Sequence, residues 1–145
     1  MADKDKFESK PLHELTEGPY YKDGSPDRRA IAKKDTPGEK LIVEGHVFSI
    51  TGKPISKAWL DFWQADGKGE YDNVGYNLRG HQYTDNLGRY CLTTVVPAMY
   101  GSRTPHIHVK LRAKNQSRVI TTRLFFPNEA RNKTDPIFDP SSNRN

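Results

Sequence analysis

The chain has 145 residues, close to the modal size of one domain, so two full domains are not expected. Residues of the AVILMFWYC set make up 34%, and 11 glycines bring the apolar share to a value consistent with one modest core. No apolar run approaches about 18 residues, which excludes a transmembrane helix, and 1–10 alternates charges without the apolar stretch of a secretory leader. The expected location is therefore cytoplasmic, with a processed secreted form as the alternative.

The net charge of +5 is unevenly placed: residues 1–40 sum to zero, 41–100 to −1 and 101–145 to +6. A solvated basic surface accounts for this, as does attraction of a small anion. No nucleic-acid motif or basic helix accompanies it, so neither a nucleic acid nor a membrane is an expected partner. Cys91 is the single cysteine and reads as a small core residue.

Residues 1–40 carry little periodicity and read as an arm packing on the domain formed by 41–145. Within it, Glu17-Gly18-Pro19-Tyr20-Tyr21 stands out, with two adjacent tyrosines behind Gly-Pro. The run Leu41 to Ile50 is rich in β formers and ends at the turn Thr51-Gly52-Lys53-Pro54. Ala58 to Ala65 is a second strand, only partly alternating, and Asp66 to Gly80 is a long glycine-bearing loop. His81 to Thr84, the turn Asp85-Asn86-Leu87-Gly88 and Arg89 to Val96 form a hairpin. A second loop, Pro97 to Pro105, leads to the strands His106 to Arg112 and Val119 to Phe126, and a short polar tail follows. Short strands at regular spacing predict an all-β fold, a sandwich of about seven strands.

His106-Ile107-His108 is the strongest local signal for chemistry. On a strand, positions i and i+2 share a face, so both imidazoles can reach one metal ion. Both loops that precede the pair carry tyrosine, in Gly69-Glu70-Tyr71 and in Pro97-Ala98-Met99-Tyr100, with no cysteine close by. Two imidazoles and two phenolates suit a hard trivalent ion and favour ferric iron over zinc or copper.

These residues carry a resemblance to a known family. Gly45-x-Val47, Gly52-x-x-Ile55, Leu60-Asp61-Phe62 and Gly69-x-Tyr71 occur in register with Leu78-Arg79-Gly80-x-Gln82-x-Thr84-Asp85 and Arg103-Thr104-Pro105-His106-Ile107-His108. From Glu17 to Pro127 the chain resembles the intradiol ring-cleavage dioxygenases, non-haem ferric enzymes that open catechols between their two hydroxyls. The resemblance implies an immunoglobulin-like sandwich with metal-bearing loops. It implies Fe(III) held by Tyr71, Tyr100, His106 and His108, a catechol and O2 as substrates, and a cis,cis-muconate-type diacid as product. Tyr100 and His108 would be axial, Tyr71 and His106 equatorial, with Tyr100 also accepting a substrate proton. Arg103 would stabilise charge on the bound substrate, and the arm would pack beside the iron, bringing Tyr20 or Tyr21 to the substrate.

There are two departures from the family pattern. Arg123 stands where the family carries a glutamine; turned inward it would meet an anionic catechol, turned outward it would reach solvent. The helical domain that dimerises the larger members is not seen, so the compact members and protocatechuate dioxygenase subunits are the nearer comparison, and a homo-oligomer is a further expectation. The rival readings are a transthyretin-like or carboxypeptidase-regulatory-like binding module and a zinc hydrolase using the two histidines. Colour separates them, because only phenolate bound to ferric iron would make the protein red-brown.

Overall fold

The computed structural model describes residues 14–98 and 104–126. Among them the fold is all-β, with six strands: β1 (Lys40–His46), β2 (Trp59–Trp63), β3 (Arg79–Tyr83), β4 (Arg89–Val95), β5 (His106–Arg112) and β6 (Ile120–Phe125). β1 and β4 form one antiparallel sheet, and β3-β2-β5-β6 form the other. Every named ladder is antiparallel.

The period-two pattern explains how the sheets meet. Ile107 and Val109 of β5, with Leu60 and Phe62 of β2, face Tyr90 and Leu92 of β4 across one core, flanked by Leu41 and Val43 of β1. Two buried glutamines bridge the sheets within this layer. Gln82 accepts from the Cys91 amide at 3.1 Å and donates to its carbonyl at 2.8 Å. Gln64 donates to the Val95 carbonyl and accepts from the Thr94 hydroxyl. Each amide has a partner on the opposite sheet, which removes the penalty of burying it.

The structure refines the sequence reading at three places. The run 41–50 is not one strand: β1 stops at His46, and Phe48 pairs back onto Pro54 in a small separate hairpin. Cys91 does not enter the core. It faces outward between the buried Tyr90 and Leu92, and lines an open polar depression of about 430 Å³ with Arg29, Glu44, His46 and Arg89. The partial alternation of β2 has a cause, since both of its faces are covered: Leu60 and Phe62 by the other sheet, Asp61 and Trp63 by the arm.

The arm crosses the outer face of the four-stranded sheet. The Leu15 amide donates to the Thr121 carbonyl at 2.8 Å, Lys110 pairs with Glu17 at 2.6 Å, and the Arg28 amide donates to the His81 carbonyl at 2.9 Å. It then runs along the far edge of β4, where the amides of Ile31 and Thr93 engage the carbonyls of Thr93 and Arg29. At Gly67 the long loop meets the arm so closely that an added Cβ would lie 2.4 Å from the Gly38 Cα. Only glycine permits that approach.

Candidate metal centre

Strand register builds the site. Arg79, Trp63, His108 and Arg123 lie opposite one another across β3, β2, β5 and β6, on the face that carries the arm. Alternation along β5 sends Ile107 and Val109 into the core and leaves His106 and His108 on this outer face, both buried. Trp63 stacks on the His108 ring, with centroids 4.6 Å apart and planes within 7°.

The polar atoms converge. His106 Nε2 lies 3.2 Å from His108 Nε2, and Tyr71 Oη lies 2.8 Å from the same nitrogen. His106 Nδ1 is 2.6 Å from the Thr104 carbonyl. A carbonyl only accepts, so Nδ1 carries the proton and Nε2 presents a lone pair, the tautomer of a metal ligand. Two donors each about 2.1 Å from one ion, at roughly a right angle, lie about 3.0 Å apart, so these separations fit a shared ion. Among the described residues no group of three or more His, Cys, Asp and Glu surrounds a common point; the oxygen beside the histidine pair is that of the Tyr71 phenol, 2.8 Å from His108 Nε2. That donor set fits a hard ferric ion better than zinc.

Tyr71 is positioned by its loop. Asp66 Oδ1 accepts the amides of Lys68 and Glu70, and Asp72 Oδ1 and Oδ2 accept those of Val74, Gly75 and Asn77. The Gly75 and Asn77 amides lead in holding the Asp72 carboxyl down to about 2. Arg79, only 2% exposed, donates from Nε to the Asp72 carbonyl at 3.0 Å and from Nη1 to the Tyr20 carbonyl at 2.5 Å. The Tyr20 ring stacks on Tyr71 with centroids 4.4 Å apart. Leu78, at φ 59°, turns the chain sharply from this loop into β3 and seats Arg79 beneath it.

The remaining candidates divide. Tyr20 lies against Tyr71, whereas the Tyr21 hydroxyl is committed to Asp61 Oδ2 at 2.7 Å and its ring packs edge-on against Trp63. Arg123 turns inward: it is 1% exposed, donates from Nη2 to the Thr16 carbonyl at 2.7 Å, and shares the surroundings of Gly18 with the His108 ring. Tyr100 and Arg103 lie outside the described residues. Three contributors escaped the sequence reading as site residues: Trp63, Arg79 and Asp61. Asp61 is 2% exposed, accepts from Tyr21 and Ser25, and has its carboxyl raised chiefly by burial. His81 hydrogen-bonds Ser25 and takes no part in the His106–His108–Tyr71 cluster.

Residues 16–144 match the Dioxygenase_C family, described as dioxygenase. The chain is 33% identical to the protocatechuate 3,4-dioxygenase alpha chain of Pseudomonas putida over 112 residues, covering 69% of this chain and 55% of that one. It is 34% identical to the catechol 1,2-dioxygenase of Acinetobacter baylyi over 96 residues, 59% of this chain and 31% of that enzyme. The chain thus spans about half or less of these curated relatives. Among solved structures, the dioxygenase domain of a dioxygenase carbohydrate-binding protein fusion from Streptomyces sp. SirexAA-E superposes with a TM-score of 0.87 at 48% identity, covering 91% of this chain and 85% of that one. The 3-chlorocatechol 1,2-dioxygenase of Rhodococcus opacus 1CP gives 0.77 at 31% identity, over 85% and 59%. The all-β fold and these matches define a dioxygenase-family domain. The chain belongs to the intradiol ring-cleavage dioxygenase family.

Proposed function

We propose that this protein is a ferric intradiol dioxygenase that adds both atoms of O2 across the bond between the hydroxyl-bearing carbons of a catechol, releasing a cis,cis-muconate-type diacid. The observation that carries the reading is that His108 Nε2 has Tyr71 Oη at 2.8 Å and His106 Nε2 at 3.2 Å. These three residues would hold Fe(III), with Tyr100 as the fourth ligand by family resemblance. Bound there, the ion supplies Lewis-acid activation of the two catechol oxygens.

The chain's own residues do the rest. The Thr104 carbonyl fixes the His106 tautomer, and Trp63 fixes the plane of His108. Tyr20 and Arg79 hold Tyr71 from two sides. The arm roofs this face and limits the approach of water. Tyr100 would take a substrate proton and Arg103 would stabilise negative charge on the ring, roles that rest on the resemblance. Among catechols we favour a carboxylated one. Arg123 places a buried cation beside His108, in the third of the chain that carries +6.

Oxygen uptake over a panel of plain and carboxylated catechols tests the reading, together with iron content and the visible spectrum. The expected protein is red-brown, holds about one iron per chain by the donor count, and loses iron and colour together on His108→Ala. A colourless, iron-free wild type that consumes no oxygen after loading with ferric iron would overturn it and leave the binding-module reading.

A further inference from the structure

We propose that the outer edge of β1 is a self-recognition surface, through which two copies of this chain join their two-stranded sheets into one antiparallel sheet. The open ladder is the first observation. The Glu39 carbonyl accepts from the Val96 amide and the Val47 amide donates to the Gly88 carbonyl, so the odd-numbered residues of β1 direct their peptide groups toward β4. Thr93, opposite Ile42, instead bonds the arm on the far side of β4. Lys40, Ile42, Glu44 and His46 therefore aim their N–H and C=O groups away from the sheet. Among the described residues no backbone group pairs with them. A seven-residue strand open along one side is a template for another strand.

The sequence of the edge identifies the occupant. A two-fold antiparallel pairing centred on Ile42 sets Lys40 opposite Glu44 of the second copy, Ile42 opposite Ile42, and Glu44 opposite Lys40. All of these are outward-directed positions, so every pair closes with two backbone bonds. The side chains lie on the solvent face: Ile42 is 65% exposed, Lys40 and Glu44 are exposed, and neither charge has an ion-pair partner among the described residues. On the opposite face, half-buried Leu41 and Val43 meet their counterparts and extend the core. Other registers lose this match. A slip of two residues sets charges opposite Ile42, and a slip of four sets Glu44 opposite Glu44 or Lys40 opposite Lys40. The edge thus selects a second copy of itself, in an isologous and closed contact.

Sedimentation equilibrium of the full chain tests this with Lys40→Glu, Glu44→Lys and the double exchange, all at exposed positions remote from the metal centre. The wild type should show a concentration-dependent dimer. Each single reversal should weaken it by about tenfold, equivalent to ~1.4 kcal/mol, and the double exchange should restore it to within about threefold. Hydrogen exchange at the Ile42 and Glu44 amides should slow as protein concentration rises. A wild type that stays monomeric while these amides are already protected would show the edge covered within one chain and overturn the proposal. Single reversals without effect, or a double exchange that fails to recover, would overturn it as well. None of these readouts depends on iron, so this inference and the dioxygenase reading fail separately.

Discussion

Replacing Tyr21 by phenylalanine removes one hydroxyl and keeps the ring that packs edge-on against Trp63. The lost bond is the 2.7 Å donation to Asp61 Oδ2, on a carboxyl that is 2% exposed and whose other oxygen already accepts from Ser25. A hydrogen bond to an ionised, desolvated acceptor contributes about 1.5–3 kcal/mol. For a chain of this size that corresponds to a fall in Tm of roughly 5–10 °C near neutral pH. The pH dependence identifies the cause. Burial lifts Asp61 above its ordinary 3.8, while the Tyr21 and Ser25 bonds pull it back. Because its folded pKa is raised, the folded state holds the proton more tightly, and stability falls as pH rises through the window above 3.8. Losing Tyr21's hydroxyl raises the folded pKa further. The variant should therefore trail the wild type least at about pH 4 and fall progressively further behind as Asp61 ionises. Urea unfolding from pH 4 to pH 8 measures this directly. A deficit that is the same at both ends, or absent at neutral pH, would refute the assignment of Asp61 as the anchor of the arm.

Arg79→Gln should destabilise the chain by about 2–4 kcal/mol in urea and lower the iron bound per chain, because the bonds to the Tyr20 and Asp72 carbonyls are both lost. Full iron retention would remove Arg79 from the positioning of Tyr71. Gly67→Ala should cost about 1–3 kcal/mol in urea, since the new methyl would meet backbone at Gly38 rather than a flexible side chain. Arg123→Gln should lower kcat/KM for a carboxylated catechol relative to plain catechol by at least about tenfold, ~1.4 kcal/mol. An unchanged ratio would restrict Arg123 to fastening the arm at Thr16.

The legible parts of this molecule are those set by local pattern. The alternation of Ile107 and Val109 with His106 and His108 placed β5 and both imidazoles, because a strand has only two faces. The tyrosine of Gly69-Glu70-Tyr71 was legible through resemblance, and the loop carries it to His108. The course of the arm was not legible. Its fastenings are single contacts across long separations, such as Arg123 to Thr16 and Tyr21 to Asp61, and no periodicity announces them. Cys91 was misread for a related reason. Its strand offered apolar residues at adjacent positions, and only pairing with Glu44 fixes it on the outward side.

One strand serves both core and site, and this has a mechanical consequence. Any slip of β5 that moved His106 or His108 would also take Ile107 and Val109 out of the layer between the sheets. The imidazole pair is therefore held by the same apolar packing that holds the domain together. Tyr71 has no such support: it sits on a loop, and its place depends on Asp72, Arg79 and the Tyr20 ring. The arm that supplies Tyr20 is tied down through Asp61, Lys110 and Arg123 on three adjacent strands. Loosening the arm should thus loosen Tyr71 first and leave the two histidines in place. The rigid half of the site belongs to the sandwich, and the adjustable half is a loop tyrosine that the arm helps to hold.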